Sequence, residues 1–388
     1  MAKAFFWCYP WDLEDEGYDR ALGRLAGEIG VDAVSVAAVL DDLTEFRSRE
    51  LNGPRTIVRQ AAAHFHPSSK HYANTRLRPT AAAWMKSRDP LGQITKRARQ
   101  HSLQCRAWAV CCRNSLLAAR HPMAACVDVF GDPIAARLCP SNPDVREYVA
   151  ALVDDLSSNH AIDAIELEEV GFGAGARCAP LETGVALGPI GGILKGWCFC
   201  ASCRQRAEEA GLDVQEVTAA VLACLGPILR AEPSRPATFG DVLGKTPCLA
   251  AYHNMRCGAV QTLLEMVRRR TNKPLFVHVE ADAFGSGIEA AALGDCCDGL
   301  VVSPKGDATT VLPEPAGRIA RSCGGADRIC VGTYCYPPDV CDGPTLVTRV
   351  RQAWQSGYAA IGFANYGVAP EPALDWVRQA IRFARRDA

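Results

Sequence analysis

No run of this sequence approaches the ~18 consecutive apolar residues of a membrane-spanning helix. The first residues, MAKAFFWCYPWDLEDEG, lack the long apolar core and small-residue cleavage site of a secretory signal. A surplus of either charge is missing too: 42 basic residues stand against 43 acidic ones, a formal balance of −1. Without a basic surplus there is no electrostatic footprint for duplex nucleic acid or an anionic membrane surface. No glycine-rich phosphate loop of recognised spacing occurs, which sets nucleotide chemistry aside. There is no low-complexity tract, internal repeat or linker separating two halves.

What is present is an ordinary globular composition, 48% hydrophobic and 22% charged over 388 residues, enough for one large α/β domain. Cysteine is the exception, at 19 residues. The chain is too long for a small disulfide scaffold, the count is odd, and no export signal is visible, so a cytoplasmic protein with mostly reduced thiols is expected. Cys105, Cys111, Cys330 and Cys335 lie in apolar, strand-like runs, where cysteine behaves as a small buried hydrophobe.

Short apolar runs alternate with longer helical patterns, the order of a parallel sheet built from βα units. Eight runs read as strands: AFFWCY (4–9), DAVSVAA (32–38), CRAWAVC (105–111), DAIELE (163–168), LFVHVEA (275–281), GLVVS (299–303), ICVGTYC (329–335) and AAIGFAN (359–365). Between them, DRALGRLAGEIG, DPLGQITKRARQHS, VREYVAALVDDLSSN and NMRCGAVQTLLEMVRRRT each carry an apolar stripe at helical spacing. Eight βα units are what a closed (β/α)8, or TIM, barrel requires. The expectation is a single barrel domain spanning 1–388, with inserted loops at about 170–205 and 232–247.

Barrel enzymes carry their reacting groups at the C-terminal ends of strands. In DAIELEEV, alternation puts Ile165 and Leu167 on one face and Glu166 and Glu168 on the other, toward the barrel axis. In PLFVHVEAD it sends Val277 and Val279 outward and His278, Glu280 and Asp282 inward. Two adjacent strands thus deliver carboxylates to one mouth. Paired carboxylates suit glycoside hydrolysis, where one protonates the leaving oxygen and the other attacks the anomeric carbon or activates water. Crowded acids also raise one another's pKa, which keeps a donor protonated near neutrality. The bland alternative pairs Glu166 with a barrel arginine such as Arg106 and makes Asp282 a helix cap.

Aromatic and polar residues at other strand ends fit a sugar site, since rings stack on pyranose faces while polar groups read hydroxyls. Trp7, Trp11, Trp108, Asn114, Tyr334, Tyr336, Asn365 and Tyr366 qualify, and the segment AAAHFHPSSKHYANTR brings His64, His66 and His71 toward the same end. Those histidines match no recognised metal motif.

In GWCFCASC, Cys198, Cys200 and Cys203 crowd into six residues. One more thiolate completes a tetrahedral zinc site. Cys139 in CPSNPDVR fits that place, with Cys178 of GARCAP as the rival; the bland alternative is three reduced structural thiols or a disulfide among them. The order CPSNPDVR, helix, strand ending in glutamate, CFCASC resembles the family 42 glycoside hydrolases, the zinc-containing β-galactosidases, over residues 138–213. The resemblance implies a structural Zn2+ held by Cys139, Cys198, Cys200 and Cys203, stapling the loop after the fourth strand, and an acid/base at Glu168. The chain departs from that family in two places. Leu167 stands where an asparagine precedes the acid, and VGTYCYPPD lacks the glutamate nucleophile of the seventh strand. Pairing glutamates on strands four and five is closer to the α-amylase arrangement, in which Glu168 would be nucleophile or base and Glu280 the acid.

The reading is therefore a glycoside hydrolase or transglycosidase acting on a small soluble glycoside or oligosaccharide. Two alternatives stay open: a carbohydrate-binding barrel without turnover, and a lyase or isomerase using His278 with a carboxylate as base.

Overall fold

All eight residues of the segment Ala33–Leu40 are buried, as expected of a parallel strand covered on both faces. The computed structural model describes residues 3–49, 53–173, 187–230, 232, 238–280, 283–302 and 313–386. Eight such strands run in parallel: β1 (Lys3–Cys8), β2 (Ala33–Leu40), β3 (Gln104–Val110), β4 (Ala164–Glu168), β5 (Leu275–Val279), β6 (Gly299–Val302), β7 (Ile329–Tyr334) and β8 (Ala360–Ala364). Each pairs with the next in chain order, and β8 pairs back onto β1, so the sheet closes and leaves no barrel edge. The expected (β/α)8 barrel is the fold, and all eight predicted strands lie within one or two residues of their expected bounds.

Alternation decides what fills the barrel and what faces its helices. Ile165, Leu167, Val277 and Val279 join the main apolar layer between strands and helices. Phe5, Trp7, Ala33, Val301, Cys330 and Ala360 form a separate cluster inside the barrel, with Trp108 and Phe276 packed against it. Arg106 lies among these rings, its guanidinium 4.5 Å from the Phe5 ring centroid and 4.4 Å from that of Phe276. Buried cation–ring contact of this kind offsets the loss of hydration. Room for the rings comes from Gly362 on β8, where a Cβ would sit 2.5 Å from Phe5 and 2.6 Å from Trp7.

Three additions decorate the C-terminal end of the barrel. An antiparallel hairpin, Leu43–Arg47 with Arg55–Arg59, follows β2. A second, Ala125–Val127 with Pro133–Leu138, follows β3. Between β4 and β5 the helices Ala201–Glu209, Val214–Leu229 and Phe239–Lys245 pack against the long helix Pro247–Arg268, and Gly188–Lys195 packs against Val214–Leu229, around an apolar cluster of their own that includes Trp197, Phe199, Leu225 and Tyr252. The segments expected as inserted loops are therefore partly helical. Thr238 and Asp241 cap Phe239–Lys245 reciprocally, a capping box that stabilises even so short a helix. Among the described residues no single helix is long and apolar enough to cross a membrane.

Candidate active site at the barrel mouth

Glu166 and Glu168 share one face of β4 but have different surroundings. Glu166 is completely buried. Its Oε1 accepts from Trp7 Nε1 of β1 at 2.5 Å and meets His278 Nε2 of β5 at 2.6 Å, while Oε2 accepts from Ser35 Oγ of β2 at 2.8 Å. Burial alone would raise its pKa. The His278 hydrogen bond and charge, then Arg106 and the Trp7 donor, outweigh that and hold the carboxyl below its ordinary value. Groups from three other strands thus occupy both carboxylate oxygens inside the barrel. Arg106 acts on it through space rather than as the paired arginine considered above.

Glu168, two residues nearer the mouth, is 5% exposed, and its Oε2 accepts from Trp108 Nε1 at 2.8 Å. Directly after it the chain turns aside at Glu169, left-handed at φ 54°, where Arg137 Nη1 holds the Glu169 carboxylate at 2.6 Å. Left-handed backbone is unfavourable for a residue with a side chain, so this ion pair helps fix where β4 ends and where Glu168 stands. Glu280 follows β5 by one residue and is exposed. It continues the alternation that turns Phe276 and His278 inward. Asp282 lies outside the described residues.

The mouth is lined with rings. Tyr9 stacks on Trp11 at 4.7 Å and on Trp108 at 6.0 Å, and Tyr334 meets Tyr336 edge-on at 5.9 Å. Trp108, Tyr334 and Tyr336 are half-buried, whereas Trp7, Trp11 and Tyr366 are buried. Trp7 is thus an interior donor to Glu166 rather than a surface for sugar. Asn365, directly after β8, is buried and its Oδ1 accepts from Gly367 N at 3.1 Å. Asn114 serves the chain itself: its Oδ1 accepts from Leu117 N at 2.9 Å as the N-cap of helix Ser115–Arg120.

The histidines expected to line the mouth separate. His66 Nε2 lies 2.9 Å from the Arg88 carbonyl, and His71 Nδ1 lies 2.9 Å from Asp154 on the helix Pro143–Asn159 outside the barrel. His64 alone is enclosed, packed edge-on against Trp11 at 5.2 Å and 6.0 Å from Trp84. Neither of its ring nitrogens has a hydrogen-bond partner among the described residues. Burial, aided by the Arg59 charge, lowers its pKa to about 3. The unfolded chain binds this proton near pH 6.5 and the folded chain does not, so His64 contributes stability that is full above pH 6.5 and is lost as pH falls toward 3. His64→Phe should therefore flatten the acid side of the stability profile over pH 6.5 to 4, read as urea midpoints against pH. Equal slopes in both proteins would contradict this.

One carboxyl at the mouth escapes sequence reasoning. Glu45, on the hairpin after β2, has its pKa raised to about 7, by burial first and the Asp12 charge next, against the opposing effects of Arg47 and a Tyr9 hydrogen bond. Glu45 and Glu168 both bear on the Tyr9 phenol, whose pKa is raised by burial and then by Glu45, Asp12 and Glu168. Asp12 itself forms a buried pair with Arg47 at 2.9 Å, and Gly367 leaves it space, since a Cβ there would fall 2.1 Å from the carboxyl carbon. The alternation LTEFR facing RTIVR is the signal that could have marked the hairpin.

The cysteine run folds as one buried cluster. The Sγ atoms of Cys139, Cys198, Cys200 and Cys203 all lie within 4.8 Å of one another, with Cys139 to Cys203 at 3.5 Å and Cys198 to Cys139 at 3.8 Å. A tetrahedral Zn2+ with ~2.3 Å bonds sets sulfurs ~3.8 Å apart, so the donor set and its spacing fit that ion. Cys139 directly follows the hairpin after β3, Cys200 occupies the N-cap position of helix Ala201–Glu209, and Phe199 N donates to Val127 O at 2.6 Å. The cluster therefore joins the loops after β3 and β4. Cys178 lies outside the described residues. Cys105, Cys111, Cys330 and Cys335 are buried free thiols, as expected.

No family model matches the sequence, and no curated protein matches it. Solved structures do. The chain superposes on the glycoside hydrolase domain of PgaB (BpsB) from Bordetella bronchiseptica with a TM-score of 0.61 and 13% identity, covering 98% of this chain and 99% of that one. The catalytic domain of β-amylase from Paenibacillus polymyxa gives 0.58 and 11%, covering both chains fully. α-L-Fucosidase isoenzyme 2 from Paenibacillus thiaminolyticus gives 0.57 and 13%, covering all of this chain, which spans half the length of the fucosidase chain. At such identities the likeness is one of fold. It shows the (β/α)8 barrel and does not single out family 42.

Proposed function

We propose that the protein is a glycoside hydrolase or transglycosidase that takes a small soluble glycoside or oligosaccharide at the barrel mouth. The observation that carries this is Glu168, held by the Trp108 indole among half-buried rings, in a fold shared with glycoside hydrolases. Glu168 and Glu280 are the proposed carboxylate pair. Glu45 joins them as a third carboxyl, and its pKa of about 7 keeps it a proton donor in neutral solution, the property a leaving-group acid needs. Glu166 holds His278 and β4 in place. Trp108 and Tyr334 would carry the sugar faces, with Asn365 beside them. The four cysteines would hold a structural Zn2+, whose closed thiolate shell supplies rigidity to the loops and no chemistry to the sugar.

An acid must be protonated to act, so with Glu45 as donor kcat falls as pH rises through about 7. The matching experiment is a pH–rate profile on any glycoside turned over in a broad panel. Glu45→Gln should remove the alkaline limb and lower kcat by about 10²-fold or more. An unchanged limb would assign the proton to another group.

A second reading rests on the His278–Glu166 contact of 2.6 Å. A carboxylate that orients an imidazole is the arrangement of a general base, as in a lyase or isomerase. It would be favoured by His278→Gln abolishing turnover while Glu168→Gln does not.

A further inference from the structure

Away from the four-cysteine cluster, the long helix Pro247–Arg268 carries a second group of ligand-type side chains. His253 and Cys257 are four residues apart, so they occupy one face one turn from each other. The Cys257 Sγ lies 3.6 Å from His253 Nε2 and 4.0 Å from Nδ1. Glu289 reaches the same place from the loop after β5, and its carboxylate oxygen, the thiol and the imidazole nitrogen all lie within 4.8 Å of one another. A thiol–imidazole hydrogen bond would account for the first two residues but not for the third. Glu289 is the N-cap residue of the short 3-10 helix Ala290–Ala292, yet its side chain makes no capping bond, and no cation pairs with it among the described residues.

From this geometry we infer that His253, Cys257 and Glu289 form a second divalent-cation site, separate from the four-cysteine cluster. The ligand set selects the ion class. One nitrogen, one thiolate sulfur and one carboxylate oxygen suit a borderline ion such as Zn2+ and do not suit Mg2+ or Ca2+, which take oxygen shells. Thiolate and carboxylate together balance the charge of a divalent ion, with the imidazole neutral. His253 is buried, its ring 6.3 Å from Trp197 in a stacked arrangement and 5.5 Å from Phe284, so its orientation is fixed before any ion arrives. Glu289 is exposed. Three protein ligands with one at the surface leave the fourth position to water, which makes this an open site beside a closed one.

Its place in the fold gives the site a consequence. Arg256, between the two helix ligands, already donates to the carbonyls of Phe284 at 3.0 Å and Gly285 at 2.6 Å. Tyr252 on the same helix donates to the Cys198 carbonyl at 2.6 Å. A bound cation would add a third tie between this helix and the loop after β5, the loop that begins at Glu280.

The test is zinc content of the full chain after loading with Zn2+ alone and removal of excess by gel filtration, measured by elemental mass spectrometry. Wild type should retain one equivalent more than His253→Ala and one more than Glu289→Gln, the second variant being a surface change that leaves folding intact. With Co2+ as a second probe, Glu289→Gln should lose only the absorption of a site with a single thiolate. Equal metal content in wild type and both variants would overturn the proposal, as would a Co2+ spectrum that Glu289→Gln leaves unchanged.

Discussion

Glu168→Gln lowers kcat/KM by about 10³-fold or more on the glycoside the wild type turns over, with the loss in kcat. Removing a positioned acid, base or nucleophile commonly costs this much, equivalent to about 4 kcal/mol of transition-state stabilisation. The size of the effect separates it from a packing defect. Glutamine keeps an acceptor oxygen for the Trp108 indole, which donates to Glu168 at 2.8 Å, so the barrel should melt within a few degrees of wild type. Its neighbour gives the contrast. Glu166 receives Trp7, Ser35 and His278, and disturbing it should reduce stability and activity together. Glu280→Gln should act like Glu168→Gln in kcat.

Cys198→Ser gives the second large effect. Its sulfur lies 3.8 Å from that of Cys139 and inside the group with Cys200 and Cys203. With Zn2+ held there, loss of one thiolate removes one equivalent of metal and several kcal/mol of stability, since binding to a structural site is coupled to folding. A strong chelator should destabilise wild type by a similar amount and leave the variant unaffected. Because the cluster joins the loops after β3 and β4, activity should fall in parallel with metal content. A wild type that carries no zinc and ignores the chelator would remove the metal from the account.

Much of this fold is legible in the sequence because its strands are buried on both faces and bounded by polar turns. DAIELE and LFVHVE alternate so cleanly that the inward positions of Glu166, Glu168 and His278 follow from period two alone. The cysteine run is local, and its fourth member sits at a loop end fixed by the adjoining Asn142-capped helix, Pro143–Asn159. What the letters cannot carry is partnership across the barrel. Glu166 and Glu168 look equivalent, and only Trp7 of β1, Ser35 of β2 and His278 of β5 make the first a buried anion. HFHPSSKHY looks like one cluster, yet its chain path sends His64 against Trp11, His66 to Arg88 and His71 to Asp154. Asn114 was open to a local reading, as an asparagine ahead of SLLAAR is a helix cap. Glu45 was not, because its raised pKa depends on Tyr9 and Asp12 from the segment after β1.

The account stands on the claim that the barrel mouth around Glu168 processes carbohydrate. Crystals of Glu168→Gln soaked with a mixed panel of mono- and disaccharides test it most directly. A sugar ring against Trp108 or Tyr334, with its glycosidic oxygen in hydrogen-bond reach of position 168 and of Glu280 or Glu45, is the expected result. A mouth that stays free of saccharide, in a variant whose wild type also turns over no glycoside of the panel, would contradict it.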